Sequence, residues 1–205
     1  MPGLNRKLLQ KMLYAATASI ESNVAWLNQL DSATGDGDHG TSIVKAIRAA
    51  THSVTEAQTG QSLKEILHST GWAVMGEDCG STSSLIGAFF MGMSDAALSD
   101  ELDDAAAIAL FHAGLAGIGK QTKAKIGDKT LMDALIPAIE AMQSADDLKT
   151  ALINAASAAA QGAESTKDYV AKYGRAKNLG ERSLGHIDAG ATSIALIFDA
   201  FAKSL

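Results

Sequence analysis

The chain is poor in several residue types, and each shortage removes a class of protein. Cys79 is its one cysteine in 205 residues, so no internal disulfide forms, and a reducing, cytoplasmic setting is expected. Aromatic residues make up 5% and alternating β-branched stretches are absent, which removes the pattern of a sandwich or barrel of strands. Two prolines, Pro2 and Pro137, leave long segments free to be helical. No apolar run approaches the roughly 20 residues that span a bilayer. Behind the basic N-terminus, Gln10, Lys11, Thr17, Ser19 and Glu21 interrupt any signal-peptide core. Basic residues are not in excess: 17 Lys and Arg against 23 Asp and Glu give a net charge of −6. That balance offers no footprint for nucleic acid or a membrane surface.

What is abundant is alanine and leucine at helical spacing. The length is enough to bury a full core, and one domain covering residues 1–205 is expected, since no flexible linker or fixed-period repeat is visible. Apolar residues at Leu9, Met12, Leu13, Ala16, Ile20, Val24 and Leu27 predict a helix over 6–30. Further helices are expected over 41–54, from the Ser62–Glu65 capping box to Met75, over 85–93, over 102–118, after Asp128, over 145–173 and over 191–202. Eight helices without a credible strand predict an all-α bundle. Trp26, Phe89, Phe90 and Met91 read as core, and Lys120 to Lys129 as a solvated basic connection.

Three loops between these helices carry the chemistry. The first sets Asp31, Asp36 and Asp38 within eight positions among Gly35, Gly37 and Gly40. In an extended segment Asp36 and Asp38 share a side, and converging carboxylates call for a hard cation such as Mg²⁺ or Ca²⁺, not zinc. An EF-hand is excluded, because counting from Asp36 the twelfth position is Ile47 where a bidentate Glu belongs. On spacing alone a solvated polar turn stands on equal footing with a metal site. The second loop, Gly80 to Ser84, offers hydroxyls and backbone N–H groups at a helix start, a setting that suits phosphate; simple capping reads the same residues equally well, and no Gly-Lys-Ser/Thr of a Walker loop follows. The third, residues 174–190, holds Arg175, Arg182 and His186 in a stretch longer than compact domains usually leave unstructured. Its arginines suit phosphate or simple pairing with glutamate. Cys79 has no activating His near it in sequence, and His39 and His186 suit hydrogen bonding better than Mg²⁺.

Three motifs taken together make the resemblance specific: Asp31…Asp36-Gly-Asp38-His39-Gly40, Gly127-Asp128-Lys129-Thr130-Leu131-Met132-Asp133, and Gly174-Arg175-Ala176 through Gly180-Glu181-Arg182-Ser183 and Gly185-His186 to Asp188…Gly190-Ala191-Thr192-Ser193. In order and over nearly the whole chain, they resemble the nucleotide-binding L subunit of bacterial dihydroxyacetone kinases, a module that also forms the C-terminal domain of single-chain, ATP-dependent kinases. The resemblance implies an eight-helix antiparallel barrel with the nucleotide under the loops at one end. It implies that Asp31, Asp36 and Asp38 hold two Mg²⁺ ions bridging ADP or ATP phosphates. By the same matching His39, Gly40, Thr41, Ser42, Ser81 and Thr82 contact the nucleotide, Leu131 lies against the adenine, Arg175 reaches the nucleotide, and Asp188, Ala189 and Gly190 line its site. No catalytic nucleophile is required of this chain, because phosphoryl transfer is positioning and electrostatic stabilisation.

The sequence departs from the family pattern twice. Cys79-Gly80-Ser81-Thr82-Ser83 stands where Gly-Gly-Ala-Ser-Gly is usual, and Asp188-Ala189-Gly190 where Asp-Pro-Gly is usual. As a function, the resemblance implies a subunit that carries ADP as a resident cofactor, is rephosphorylated by a phosphoenolpyruvate-fed phosphotransferase-system protein, and passes the γ-phosphoryl to a ketose held on a separate K subunit. The alternatives are an ATP-dependent subunit for a related triose or tetrulose, or a nucleotide-bound regulatory module that engages a transcriptional regulator. The sequence leaves a homodimer open.

Overall fold

The computed structural model describes residues 3–205. Eight helices account for most of them: α1 (Arg6–Ser32), α2 (His39–Thr55), α3 (Leu63–Met75), α4 (Ser81–Ala96), α5 (Asp104–Gly119), α6 (Met132–Met142), α7 (Leu148–Ser165) and α8 (Ala189–Ser204). Five of the seven connections are short enough to force the helices they join to run antiparallel, while 120–131 and 166–188 are longer. Each packs on its sequence neighbours, and α8 returns to α1, closing the set. The chain is all-α, as expected. One short ladder was not foreseen: β1 (Leu4–Asn5) pairs antiparallel with β2 (Glu101–Leu102), two residues each, too brief to leave a sequence pattern.

Local signals set the helix starts. The Asn5 side chain accepts from Leu8 N–H at α1, and Asp103 from Ala106 N–H at α5. The Ser62–Glu65 capping box forms in both directions at α3. Asp147 accepts from Thr150 N–H at α7, and Asp188 from Ala191 N–H at α8.

The core is aliphatic and alanine-rich, with all five phenylalanines in one group. Phe111 of α5 lies 6.3 Å from Phe89 of α4, and 6.1 and 6.4 Å from Phe198 and Phe201 of α8 (ring centroids). Offset and edge contacts at this range favour aromatic pairs beyond their area burial. These rings hold α4, α5 and α8 together across the bundle.

Four expectations change. Helix α4 begins at Ser81, not Leu85, so the hydroxyl run is the first turn of the helix. Helix α7 stops at Ser165, eight residues before Tyr173; the chain then makes a 3-10 turn at 166–168 and goes extended at Tyr169. Trp26 is 44% exposed, because it stands about 100° around α1 from the buried Leu27. Lys129 is buried at 2% exposure, inside what read as a solvated connection. Among the described residues no helix is long and apolar enough to cross a membrane.

Candidate functional site at the loop end of the bundle

The antiparallel order brings the C-termini of α1, α3, α5 and α7 and the N-termini of α2, α4, α6 and α8 to one end. All three loops singled out from sequence therefore meet there, with the fourth connection, 120–131, beside them.

Asp31 ends α1, and the tight turn after it is shaped around its carboxylate. Asp31 Oδ2 accepts from Gly37 N–H at 2.8 Å and Asp38 N–H at 3.0 Å. Gly35 must lack a side chain, since a Cβ there would fall 2.4 Å from Asp31 Oδ1. Gly37 takes a left-handed φ of 79°, open to glycine at no steric cost. The turn thus delivers Asp36 and Asp38 back to Asp31: one carboxylate oxygen from each lies within 4.8 Å of the others. Asp36 also pairs with the Arg175 guanidinium, which brings the third loop over the first. Three oxygens at that separation, in a cradle a Cβ would fill, fit hard divalent cations with phosphate oxygens completing the shell.

Helix α2 begins immediately beside this cluster. Asp38 is its N-cap but its side chain makes no capping bond, and the hydroxyls of Thr41 and Ser42 do not cap it either. Asn28 of α1 does the work: its Oδ1 accepts from Thr41 N–H and its Nδ2 donates to Thr41 Oγ1, both at 3.2 Å. Gly40 permits this approach, because a Cβ would meet Val24 O at 2.3 Å. His39 Nε2 lies 3.1 Å from Ser193 Oγ of α8. The Ser193 hydroxyl donates to Gly190 O at 2.8 Å, so its oxygen accepts from the imidazole N–H. Burial holds His39 below the usual histidine range, against the opposing charge of Asp31.

The first turn of α4 is also free of a side-chain cap. Gly80 precedes it at a φ of 58°, and the Ser83 and Ser84 hydroxyls turn back to Gly80 O. Ser81 and Thr82 are left at the positive end of the helix dipole, facing the loop end. Cys79 is buried and its thiol is pushed up by that burial, the reverse of an activated nucleophile.

Leu131 and Gly190 meet on the far side. A Cβ on Gly190 would sit 3.4 Å from Leu131 Cβ and 3.0 Å from Asp188 Oδ2. Asp188 caps α8 through Ala191 N–H at 2.7 Å, while its own N–H donates to Thr166 Oγ1 at 2.8 Å. Its carboxyl is pushed up to about 6, first by burial and then by Asp133 and Asp31.

The second motif turns out to be a scaffold. Asp133 accepts from Gly127 N–H at 2.6 Å and Thr130 N–H at 2.7 Å, closing the turn before Leu131. Asp128 binds Lys172 twice, side chain to side chain at 2.7 Å and main chain to main chain at 3.1 Å. That Lys172 bond holds the Asp128 carboxyl below its ordinary range. Sequence reasoning missed Asn28, Ser193, Lys129 and Thr166 as site residues. Asn28 was findable, being three residues before Asp31 on one helix face; nothing local marked Thr166.

Known proteins are similar to this chain in sequence and fold. The DAK2 domain family matches residues 33–203. The ADP-binding subunit DhaL of a PEP-dependent dihydroxyacetone kinase from Listeria innocua is 34% identical over 90% of this chain and 89% of its own. Its Escherichia coli counterpart is 31% identical over 86% of each chain. An L-erythrulose 1-kinase of Mycolicibacterium smegmatis is 33% identical over 89% of this chain, which spans 33% of that longer protein. The dihydroxyacetone kinase of C. freundii, solved with AMP-PNP and Mg²⁺, superposes with a TM-score of 0.75 at 26% identity, over all of this chain and 35% of its own. The chain therefore belongs to the DAK2 domain family, in the branch of the DhaL subunits.

Proposed function

We propose that this chain is the nucleotide-carrying phosphotransferase subunit of a ketose kinase, with ADP as its resident cofactor. The observation that carries the reading is the convergence of three carboxylates within 4.8 Å at the end of the bundle where α4 begins with an uncapped first turn. Acidic groups alone would repel an anion; a divalent cation between them and a phosphate chain reverses that sign.

Asp31, Asp36 and Asp38 would hold two Mg²⁺, whose contribution is to neutralise phosphate charge as the γ-phosphoryl leaves. Ser81 and Thr82 offer N–H and hydroxyl groups to the phosphates. His39, Gly40, Thr41 and Ser42 bound the same space from α2. Leu131 supplies an apolar wall for the adenine, backed by Gly190, and Asp188 and Ala189 fix the start of α8 beside it. Arg175, held at Asp36, is placed to reach phosphate oxygens with a bidentate fork. None of these residues needs to become covalently modified: the chain orients the nucleotide between a phosphoryl donor and an acceptor and shields the transfer.

The γ-phosphoryl would come from a phosphoenolpyruvate-fed phosphotransferase-system protein and go to dihydroxyacetone on a separate K subunit; the Listeria and E. coli relatives, named as ADP-binding subunits of PEP-dependent dihydroxyacetone kinases, support the phosphoenolpyruvate and ADP parts of that reading. The similarity to L-erythrulose 1-kinase favours a tetrulose, with free ATP as donor, as the second reading. Mass spectrometry of the purified protein, with Mg²⁺ measured alongside, tests both. ADP retained at about one per chain supports the cofactor reading, and an empty site that exchanges ATP readily supports the second. Asp36→Ala should abolish both bound nucleotide and phosphoryl transfer; transfer retained by D36A would overturn the site.

A further inference from the structure

Lys129 stands apart from every other lysine in the molecule. It is buried, and it is the one non-glycine residue with a left-handed backbone among the described residues, at a φ of 60°. That conformation costs a side chain about 1 kcal/mol, and burying an ammonium costs more unless its protons are met. Two of its three are met by main-chain carbonyls: Nζ donates to Thr166 O at 2.6 Å and to His186 O. Asp188, Asp133 and Asp168 surround it with negative charge, while burial pulls its proton affinity down.

The two carbonyls are the two stems of one excursion. Thr166 follows the last turn of α7, and His186 lies two residues before the cap of α8. The segment between them carries Arg175. Lys129 is the side chain that ties both stems to the turn before Leu131, and the neighbouring bonds reinforce it. Gly185 N–H donates to Lys167 O at 2.7 Å, Asp188 N–H to Thr166 Oγ1, and Lys172 N–H to Asp128 O. Between the stems, Ser183 Oγ bridges Ala171 N–H and Gly180 O within the loop, and Arg175 reaches across to Asp36. Its glycines at 174, 180 and 185 all have positive φ with open space around them.

We infer that Lys129 is a positioning residue for the nucleotide: it clamps the stems of the 166–186 loop so that Arg175 is held over Asp36 and Gly190 against Leu131. This rests on the nucleotide reading above. With Nζ turned to the carbonyls of Thr166 and His186, Lys129 acts through the loop: it sets how long the loop stays closed, and so how slowly ADP leaves. A resident cofactor requires slow release, and a buried two-carbonyl clamp supplies it where an exposed Arg175–Asp36 pair would not.

Dissociation of a fluorescent ADP analogue from the Mg²⁺-loaded protein tests the inference. Lys129→Met, matched in length but without donors, should release it at least tenfold faster, and Lys129→Arg should stay within threefold of wild type. In an Arg175→Ala background the effect of K129M should shrink below threefold, since the loop then has no arginine to position. A purely structural lysine would lower the melting temperature of K129M without changing release, and would act equally in both backgrounds; either result overturns the inference. If K129M does not fold, Lys129→Gln carries the same comparison, and hydrogen exchange on the ADP-bound wild type decides it independently. The amides of Ala171, Lys172 and Gly185 should then exchange at least 100-fold slower than in an unstructured peptide, and free exchange there would overturn the clamp. A wild-type chain that binds no ADP overturns the nucleotide reading and this inference together. Normal binding with unaltered K129M release overturns this inference alone.

Discussion

The Cα of Gly162 in α7 rests on the main-chain carbonyl of Asp133 in α6, so closely that a Cβ would fall 2.1 Å from the oxygen. That carbonyl is the one Pro137 leaves without an N–H donor inside α6. Two irregularities thus coincide, and α7 uses the gap to approach α6. Gly162→Ala should destabilise the protein by about 2–3 kcal/mol through overpacking, read by chemical denaturation. Because the Asp133 carboxylate closes the turn before Leu131, G162A should also weaken ADP binding several-fold. A stability loss with unchanged affinity would show that α6 shifts as a rigid body.

Asn28 substitutes for the missing cap of α2. Asn28→Ala leaves Thr41 N–H and Oγ1 without their partner and should cost about 1 kcal/mol. Gly40→Ala should be more severe, since its Cβ would strike Val24 O and spread α2 from α1. Both should raise the Kd for Mg²⁺-ADP, G40A more than N28A. Calorimetric titration gives the order, and a reversed order would mean that the Asn28 contact, not the helix spacing, governs the site.

Arg175 and Asp36 separate stability from function. Their pair is exposed, with side chains 68% and 42% accessible, and such pairs contribute roughly 0–1 kcal/mol. Arg175→Ala should leave the melting temperature within about 2 °C while weakening nucleotide binding about tenfold or more. A large drop in melting temperature would instead make the 166–186 loop part of the folding core.

Asp188 gives the protein a pH dependence of its own. Its folded carboxyl is raised to about 6 from an ordinary 3.8, by burial above all. The native state therefore binds its proton more tightly than the unfolded state, so this group's contribution to stability falls as pH rises from about 4 to about 6 and is flat beyond. At roughly 1.4 kcal/mol per tenfold in proton affinity, the full penalty is about 3 kcal/mol. Asp188→Asn, which can still accept from Ala191 N–H, should gain on wild type across that window in nucleotide-free protein with EDTA present. A pH-independent difference between the two would refute the assignment.

The helices were legible because apolar spacing is a local signal and the Ser62–Glu65 capping box forms as its sequence implies; Asn5, Asp103 and Asp147 cap their helices as well, although sequence reasoning did not single them out. The acidic loop was legible because its glycines have one plain purpose. The end of α7 was not, since Glu164 to Tyr173 contains no breaker. What stops the helix is tertiary: Thr166 is held by Ala163 O, Asp188 N–H and Lys129, residues up to 37 positions away. Trp26 was misread from residue type when its angle around α1 already set it off the buried face. Lys129 was misread because a charged residue in a basic, glycine-punctuated stretch looks solvated, and its carbonyl partners come from two distant stems.

The short β1–β2 ladder lies at the opposite end of the bundle from the aspartates, where α1 begins and α8 finishes. Either terminus of the described chain therefore offers an anchoring point remote from the loops. A surface tether or dye attached there leaves the three-aspartate end facing free solution, so nucleotide binding can be timed on immobilised protein without obstructing that end.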